Sequence, residues 1–138
     1  MDAENTFGIN AAYLAAHAVI ETGGNINNIT FNYQGTTVYN TYGAGAIDTK
    51  VAEGAGEFAF IRGWTTIDKA ILGGAEFVRK YVDNEQNTVY EMRWHSADPG
   101  IGPQYATAYN WAYEIARGIY KICGSAYGNY AFHYPAYY

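Results

Sequence analysis

Gly8-Ile-Asn-Ala-Ala-Tyr-Leu-Ala-Ala-His-Ala-Val-Ile-Glu-Thr-Gly23 is the stretch on which the fold turns. Ile9, Tyr13, Ala16, His17 and Ile20 recur at helical spacing, and five alanines favour the helix. A helix is therefore expected from about Gly8 to Thr22, with Gly23 available for a left-handed cap. Tyr13, His17 and Glu21 are spaced by four, so they stack on one face. Glu21 stands at the C-terminal end, where the helix dipole disfavours a negative charge. That placement, with partial burial, is expected to raise its pKa. A carboxylic acid kept protonated near neutral pH can donate a proton to a leaving oxygen. On periodicity alone a glutamate here is more often a solvated surface residue, and His17 is more often structural than catalytic.

Outward from this helix, Ile29-Thr-Phe-Asn-Tyr33 and Thr36-Thr-Val-Tyr39 flank Gln34-Gly35, which reads as a β-hairpin. Asn40 to Ala46 is a Gly-rich loop without the lysine or spacing of a phosphate-binding loop. A second helix is expected from about Lys50 to Ile61. A third opens at Thr65, with Asp68 completing a capping-box-like start. Gly73-Gly74 in its middle weakens it by roughly 1 kcal/mol per glycine, and suggests close helix–helix approach. The polar run from Asp83 to Gly102, with Pro99 and Gly100, reads as a long functional loop. A last helix is expected from about Gln104 to Ile122. The aromatic, Gly-rich tail from Gly124 to Tyr138 is expected to lie over the surface. The expectation is one α+β domain over residues 1–138, mostly helical with a small β-hairpin lobe.

Composition narrows the function. Only 15% of the 138 residues are charged and the net charge is −5, with no Lys or Arg cluster. Nucleic-acid binding by phosphate neutralisation is thus not expected. The 15 tyrosines suit carbohydrate, whose C–H faces stack on rings while its hydroxyls need partners. Half-buried core positions would account for many of them. No apolar run reaches the ~20 residues needed to cross a bilayer, and the first residues do not form a signal peptide. An export signal would lie upstream, or the protein would travel in a phage particle. Cys123 is the only cysteine, so no intramolecular disulfide forms; a small buried hydrophobe is expected there. His17, His95 and His133 are scattered and no HExxH occurs, so neither a metal nor another cofactor is expected.

The string Ala16-His-Ala-Val-Ile-Glu-Thr-Gly23 resembles the N-acetylglucosaminidases of bacterial autolysins, glycoside hydrolase family 73. The resemblance extends along the chain. It takes in Ala3 to Asn10, Thr37-Val-Tyr-Asn-Thr-Tyr-Gly-Ala-Gly-Ala46, Gly63-Trp64 and Lys69 to Ala75. It continues through Gln86 to Trp94, Gln104-Tyr-Ala-Thr107, Trp111-Ala112 and Phe132-His-Tyr-Pro135. It implies a lysozyme-like fold and cleavage of the β-1,4 bond after N-acetylglucosamine in peptidoglycan strands, outside the cell, by a monomer. It also implies that Glu21 is the catalytic acid and that Tyr105 lines the site beside it. His17, Tyr42, Gly43, Trp94 and Gln104 are the implied substrate-binding positions. Arg93 and Trp94 belong to the loop leading there; they bind sugar or hold the loop.

Glycosidases commonly use two carboxyl groups. Residues 26–46 contain no Asp or Glu, and Asp48, Glu53 and Glu57 are the next acids. Each fits a solvated face. The expected mechanism therefore pairs Glu21 with the substrate's own 2-acetamido group, assisted by Tyr105, or with a held water. The rivals are a muramidase or lytic transglycosylase on the same fold, a non-catalytic glycan-binding module and a structural virion component.

Overall fold

The computed structural model describes residues 3–45, 51–94 and 104–124. Its described part holds six α-helices and one two-stranded antiparallel sheet. A short helix, α1 (Ala3–Phe7), stops at Gly8, whose φ of +65° a side chain would resist. The central helix, α2, spans Ala11–Thr22. It starts three residues later than expected because Asn10 caps it, its Oδ1 accepting from the Tyr13 N–H at 3.0 Å. Gly23 closes it in the left-handed conformation, as expected.

A 3-10 turn over Ile26–Ile29 leads into the hairpin of β1 (Thr30–Tyr33) and β2 (Thr36–Tyr39). Thr30 pairs with Tyr39 and Tyr33 with Thr36. Gln34 and Gly35 both take positive φ, the geometry that matches a two-residue turn to strand twist. The next helix, α3 (Val51–Ile61), lies against both strands. Helix α4 (Ile67–Asp83) follows. Its cap is Thr66 rather than the expected Thr65: the Thr66 hydroxyl accepts from the Lys69 N–H at 3.3 Å.

Two expectations fail in the second half. The run from Asp83 to Gly102 is not all loop, since α5 (Val89–Arg93) sits inside it. A full capping box starts α5: Thr88 N–H donates to Glu91 at 2.9 Å and Glu91 N–H to Thr88 at 3.1 Å. The last helix, α6, spans Trp111–Cys123, so Gln104 and Tyr105 precede it instead of opening it. Asp48, His95, Pro99, Gly100, His133, the Phe132–Pro135 match and the rest of residues 125–138 lie outside the described residues, as does the side chain of Glu53.

Two apolar clusters organise these elements. One joins Ile9, Tyr13, Leu14, Val78, Met92, Trp111 and Ile115. The other lies under the hairpin, from Val38, Ala44, Ala59, Trp64 and Ala70. Helix α2 packs along α6, where Gly118 meets Ala16 so closely that a Cβ would stand 2.9 Å from its methyl. Gly73 and Gly74 have a different use from the expected helix–helix approach. Each seats an aromatic ring: a Cβ would fall 2.1 Å from the Trp64 ring at Gly73, and 2.0 Å from the Tyr42 ring at Gly74. The two rings thus bolt the hairpin lobe to α4. Cys123 is a free, buried thiol, as expected.

Candidate active site

The face formed by Tyr13, His17 and Glu21 runs from the core to the end of α2. His17 has 0% exposure and is enclosed by four rings. Tyr13, Tyr42, Tyr105 and Trp111 stand 5.2, 5.2, 4.6 and 5.3 Å from it, centroid to centroid. Burial lowers its pKa, against an opposing pull from Glu21, so the ring is neutral at neutral pH. Neither ring nitrogen has an aligned hydrogen-bond partner among the described residues. With no surface of its own, His17 cannot touch a glycan. It is the wall behind Glu21, which corrects its expected substrate-binding role.

Glu21 crowns this wall with 27% of its side chain exposed. Its two oxygens face different surroundings. Oε1 accepts a hydrogen bond from Trp111 Nε1 at 3.0 Å and lies 3.4 Å from His17 Nε2. Oε2 lies 3.5 Å from where a Cβ on Gly43 would be, on the loop that follows β2. Burial pushes the carboxyl pKa up, but His17 and Trp111 more than offset it, and the net shift is downward. Trp111 is the aligned donor of the two; His17 is close but misaligned. The expected rise is thus corrected. Helix position was known from sequence, whereas the facing N–H came from a distant helix. Among the described residues no second carboxylate acts on Glu21. Glu57 is exposed on α3.

Tyr105 lies against the acid's wall rather than at its mouth. Its hydroxyl donates to the Tyr42 carbonyl at 2.7 Å, and its ring stacks on Trp111 at 5.2 Å and 26°. The residue as a whole is half-buried, but its hydroxyl is deep, and burial raises its pKa well above the ordinary value. The hydroxyl proton is therefore committed to the Tyr42 carbonyl. In the free protein the visible work of Tyr105 is to hold the loop before Gly43. Tyr42 is 2% exposed, with its hydroxyl pKa pushed up to about 12 by burial. It too supports the loop and offers a ligand almost no surface, contrary to expectation.

Gly43 and Gln104 are exposed, and Trp94 is half-buried. Arg93 connects this region. Its Nε donates to the Ala108 carbonyl at 2.8 Å and an Nη to Thr107 at 2.6 Å. Trp94 covers the guanidinium at 3.8 Å and meets the Tyr109 ring edge-on at 5.7 Å. Arg93 is buried, so among the two roles open to it, it holds the loop. Asn40 shapes the other side: its amide donates to Ala44 and Ala55 and accepts from the Ala44 N–H. Trp111 is the group that sequence reasoning left out of the site, although its segment had been noticed. A cavity of about 460 Å³, lined by Tyr13, Val82, Met92 and Ile119 among others, does not include Glu21. Among the described residues no cluster of His, Cys, Asp and Glu could hold a metal ion, and no helix is long and apolar enough to cross a membrane.

Known proteins share this architecture. No family model matches the chain. A β-N-acetylglucosaminidase of Bacillus subtilis is 38% identical over 128 residues, covering 88% of this chain and 14% of the relative. A bifunctional autolysin of Staphylococcus epidermidis is 37% identical over 149 aligned positions, covering 98% of this chain and 11% of the relative. The chain thus spans a small part of these relatives' length. Among solved structures, Staphylococcus aureus autolysin E in complex with the muropeptide NAM-L-Ala-D-iGlu matches with a TM-score of 0.79 and 35% identity. The match covers 90% of this chain and 57% of that one. A catalytic glutamate-to-alanine mutant of the same protein, in complex with the disaccharide NAG-NAM, matches with a TM-score of 0.78 and 36% identity over the same shares. The mostly helical fold with one small sheet is that of autolysin E.

Proposed function

This chain belongs to the glucosaminidase family of bacterial autolysins, and from that premise we propose that it is the catalytic module of a peptidoglycan hydrolase. It cuts the β-1,4 bond between N-acetylglucosamine and N-acetylmuramic acid, in the cell wall outside the membrane. The observation that carries this reading is Glu21: a carboxyl on a wall of buried rings, with one oxygen held by Trp111 and the other turned toward the Gly43 loop. The relatives' names and the bound wall fragments of autolysin E support it.

In this mechanism a protonated Glu21 gives its proton to the glycosidic oxygen as the C1–O bond breaks. The substrate's acetamido oxygen closes on C1, so no second protein carboxylate is needed. The Glu21 carboxylate then takes a proton from the water that reopens the ring, which restores the acid. In the free protein the lowered pKa favours the carboxylate. A glycan seated over Glu21 removes the remaining water, and that desolvation moves the carboxyl back toward its acid form. Exposed Gly43 and Gln104 and half-buried Trp94 are the positions left to meet the glycan.

The test is Glu21→Gln on purified peptidoglycan, with fragments read by mass spectrometry. Wild type should release glycan with N-acetylglucosamine at the new reducing end, and the variant should lose at least about 100-fold in rate with its thermal unfolding nearly unchanged. Reducing or anhydro-N-acetylmuramic acid ends would replace this reading with a muramidase or transglycosylase. Undiminished lysis by the variant would remove the catalytic role altogether.

A further inference from the structure

Resting on the general-acid reading of Glu21, we infer that Trp111 is a positioning residue that fixes which oxygen of Glu21 carries the proton. The indole N–H is a donor only. It reaches Oε1 at 3.0 Å, so Oε1 must present a lone pair in both protonation states. The carbonyl oxygen of a carboxylic acid is the stronger acceptor, so in the acid form Oε1 is the carbonyl and Oε2 the hydroxyl. That oxygen faces Gly43, which carries no side chain to cover it: a Cβ there would stand 3.5 Å away. The leaving oxygen is met from the loop side of the carboxyl.

The indole is well placed to impose this choice. Trp111 is buried at the first turn of α6, stacked on Tyr105 and edge-on to His17 at 84°. It cannot swing away without displacing both rings. Among the described residues, the other titratable groups around Glu21 are His17 and Tyr13 on α2, Tyr42 on the loop after β2, and Tyr105 ahead of α6. The tyrosines all titrate above their ordinary range, leaving His17 as the one other group with an ordinary value near neutrality. Without the indole N–H, Oε1 would compete with Oε2 for the proton, and acid protonated there would point it at the wall.

The experiment replaces Trp111 with β-(3-benzothienyl)alanine, which keeps the bicyclic shape but puts sulfur where the N–H was. Trp111→Phe serves as a second, larger change. The Glu21 carboxyl is followed by carbon NMR titration in the isotope-labelled protein, and kcat and KM are measured across pH on soluble peptidoglycan fragments. Loss of the N–H should raise the Glu21 titration midpoint and move the kcat/KM profile with it. It should lower kcat about ten-fold, the effect of losing one hydrogen bond to a charged group, while KM stays within about two-fold. Unfolding of the benzothienyl protein should stay cooperative and lose no more stability than the shifted Glu21 titration accounts for, which excludes a packing defect. An unmoved midpoint, or a moved midpoint with unchanged kcat, overturns the inference. Loss of activity in Glu21→Gln alongside either result leaves the general-acid reading standing, so the two ideas fail separately.

Discussion

Replacing Gly74 by alanine should destabilise the protein, although alanine is the better helix former by about 1 kcal/mol. The added methyl would sit 2.0 Å from one Tyr42 ring carbon and 2.5 Å from the next. Carbon atoms rest at ~3.5–4.0 Å, so the ring must retreat by roughly 1.5 Å. Its surroundings resist that: Tyr42 is buried, its ring leans on His17, and its carbonyl accepts the Tyr105 hydroxyl. Overpacking costs ~1–3 kcal/mol, and rigid walls place this case near the top of that range. Set against the helix gain, the net loss is about 2 kcal/mol. At ~4 °C per kcal/mol for a chain of this size, Tm should fall by roughly 8 °C. Thermal unfolding by circular dichroism reads this directly. A second background makes the test sharper. In a Tyr42→Ala protein the clash is gone, so Gly74→Ala should raise Tm by a few degrees. An increase in the wild-type background, or the same change in both backgrounds, would refute the reasoning.

Asn40→Ala should cost about 3 kcal/mol, because it strands the Ala44 N–H and the Ala44 and Ala55 carbonyls in a buried turn. Denaturant unfolding checks the cost, and hydrogen exchange at Ala44 should rise with it. Stability should also fall on mild acidification. The folded His17 pKa is lowered below 6.5, so as pH drops from 6.5 toward that folded value the unfolded chain binds a proton that the folded chain refuses. Glu21 adds a second loss at lower pH: its contribution is present above the ordinary carboxylate value and disappears as pH falls through its depressed folded pKa. Tm measured against pH should show a slope below 6.5 that flattens in His17→Gln; an identical slope in the two proteins would count against the buried neutral histidine.

Local signals were the legible ones. Gln34-Gly35 sits between two β-branched runs, and the turn it forms depends on those residues alone. Gly23 and the four-residue spacing of Tyr13, His17 and Glu21 likewise placed the acid at a helix end. Thr88 and Glu91 carried an equally local capping signal, but the polar residues around them resembled loop, so α5 was passed over. What depended on partners far along the chain was hidden. Gly73 and Gly74 announced a close approach without saying that rings, not a helix, make it. The depressed pKa of Glu21 rests on His17 and on an indole that sequence cannot place beside it. The resemblance implies substrate binding for His17, whereas four rings, from α2, the loop after β2 and the segment entering α6, close around it.

The hydrogen bond between Trp111 and Glu21 joins residues 90 positions apart. Contacts of such separation form only after the intervening chain has been ordered, and they are absent from partly synthesised polypeptides. While the ribosome still holds α6, the segment carrying Glu21 is free to fold but its counterpart is not. A nascent or clipped chain therefore carries the acid without the group that aims it. Whatever depends on this bond arrives only once α6 has joined α2.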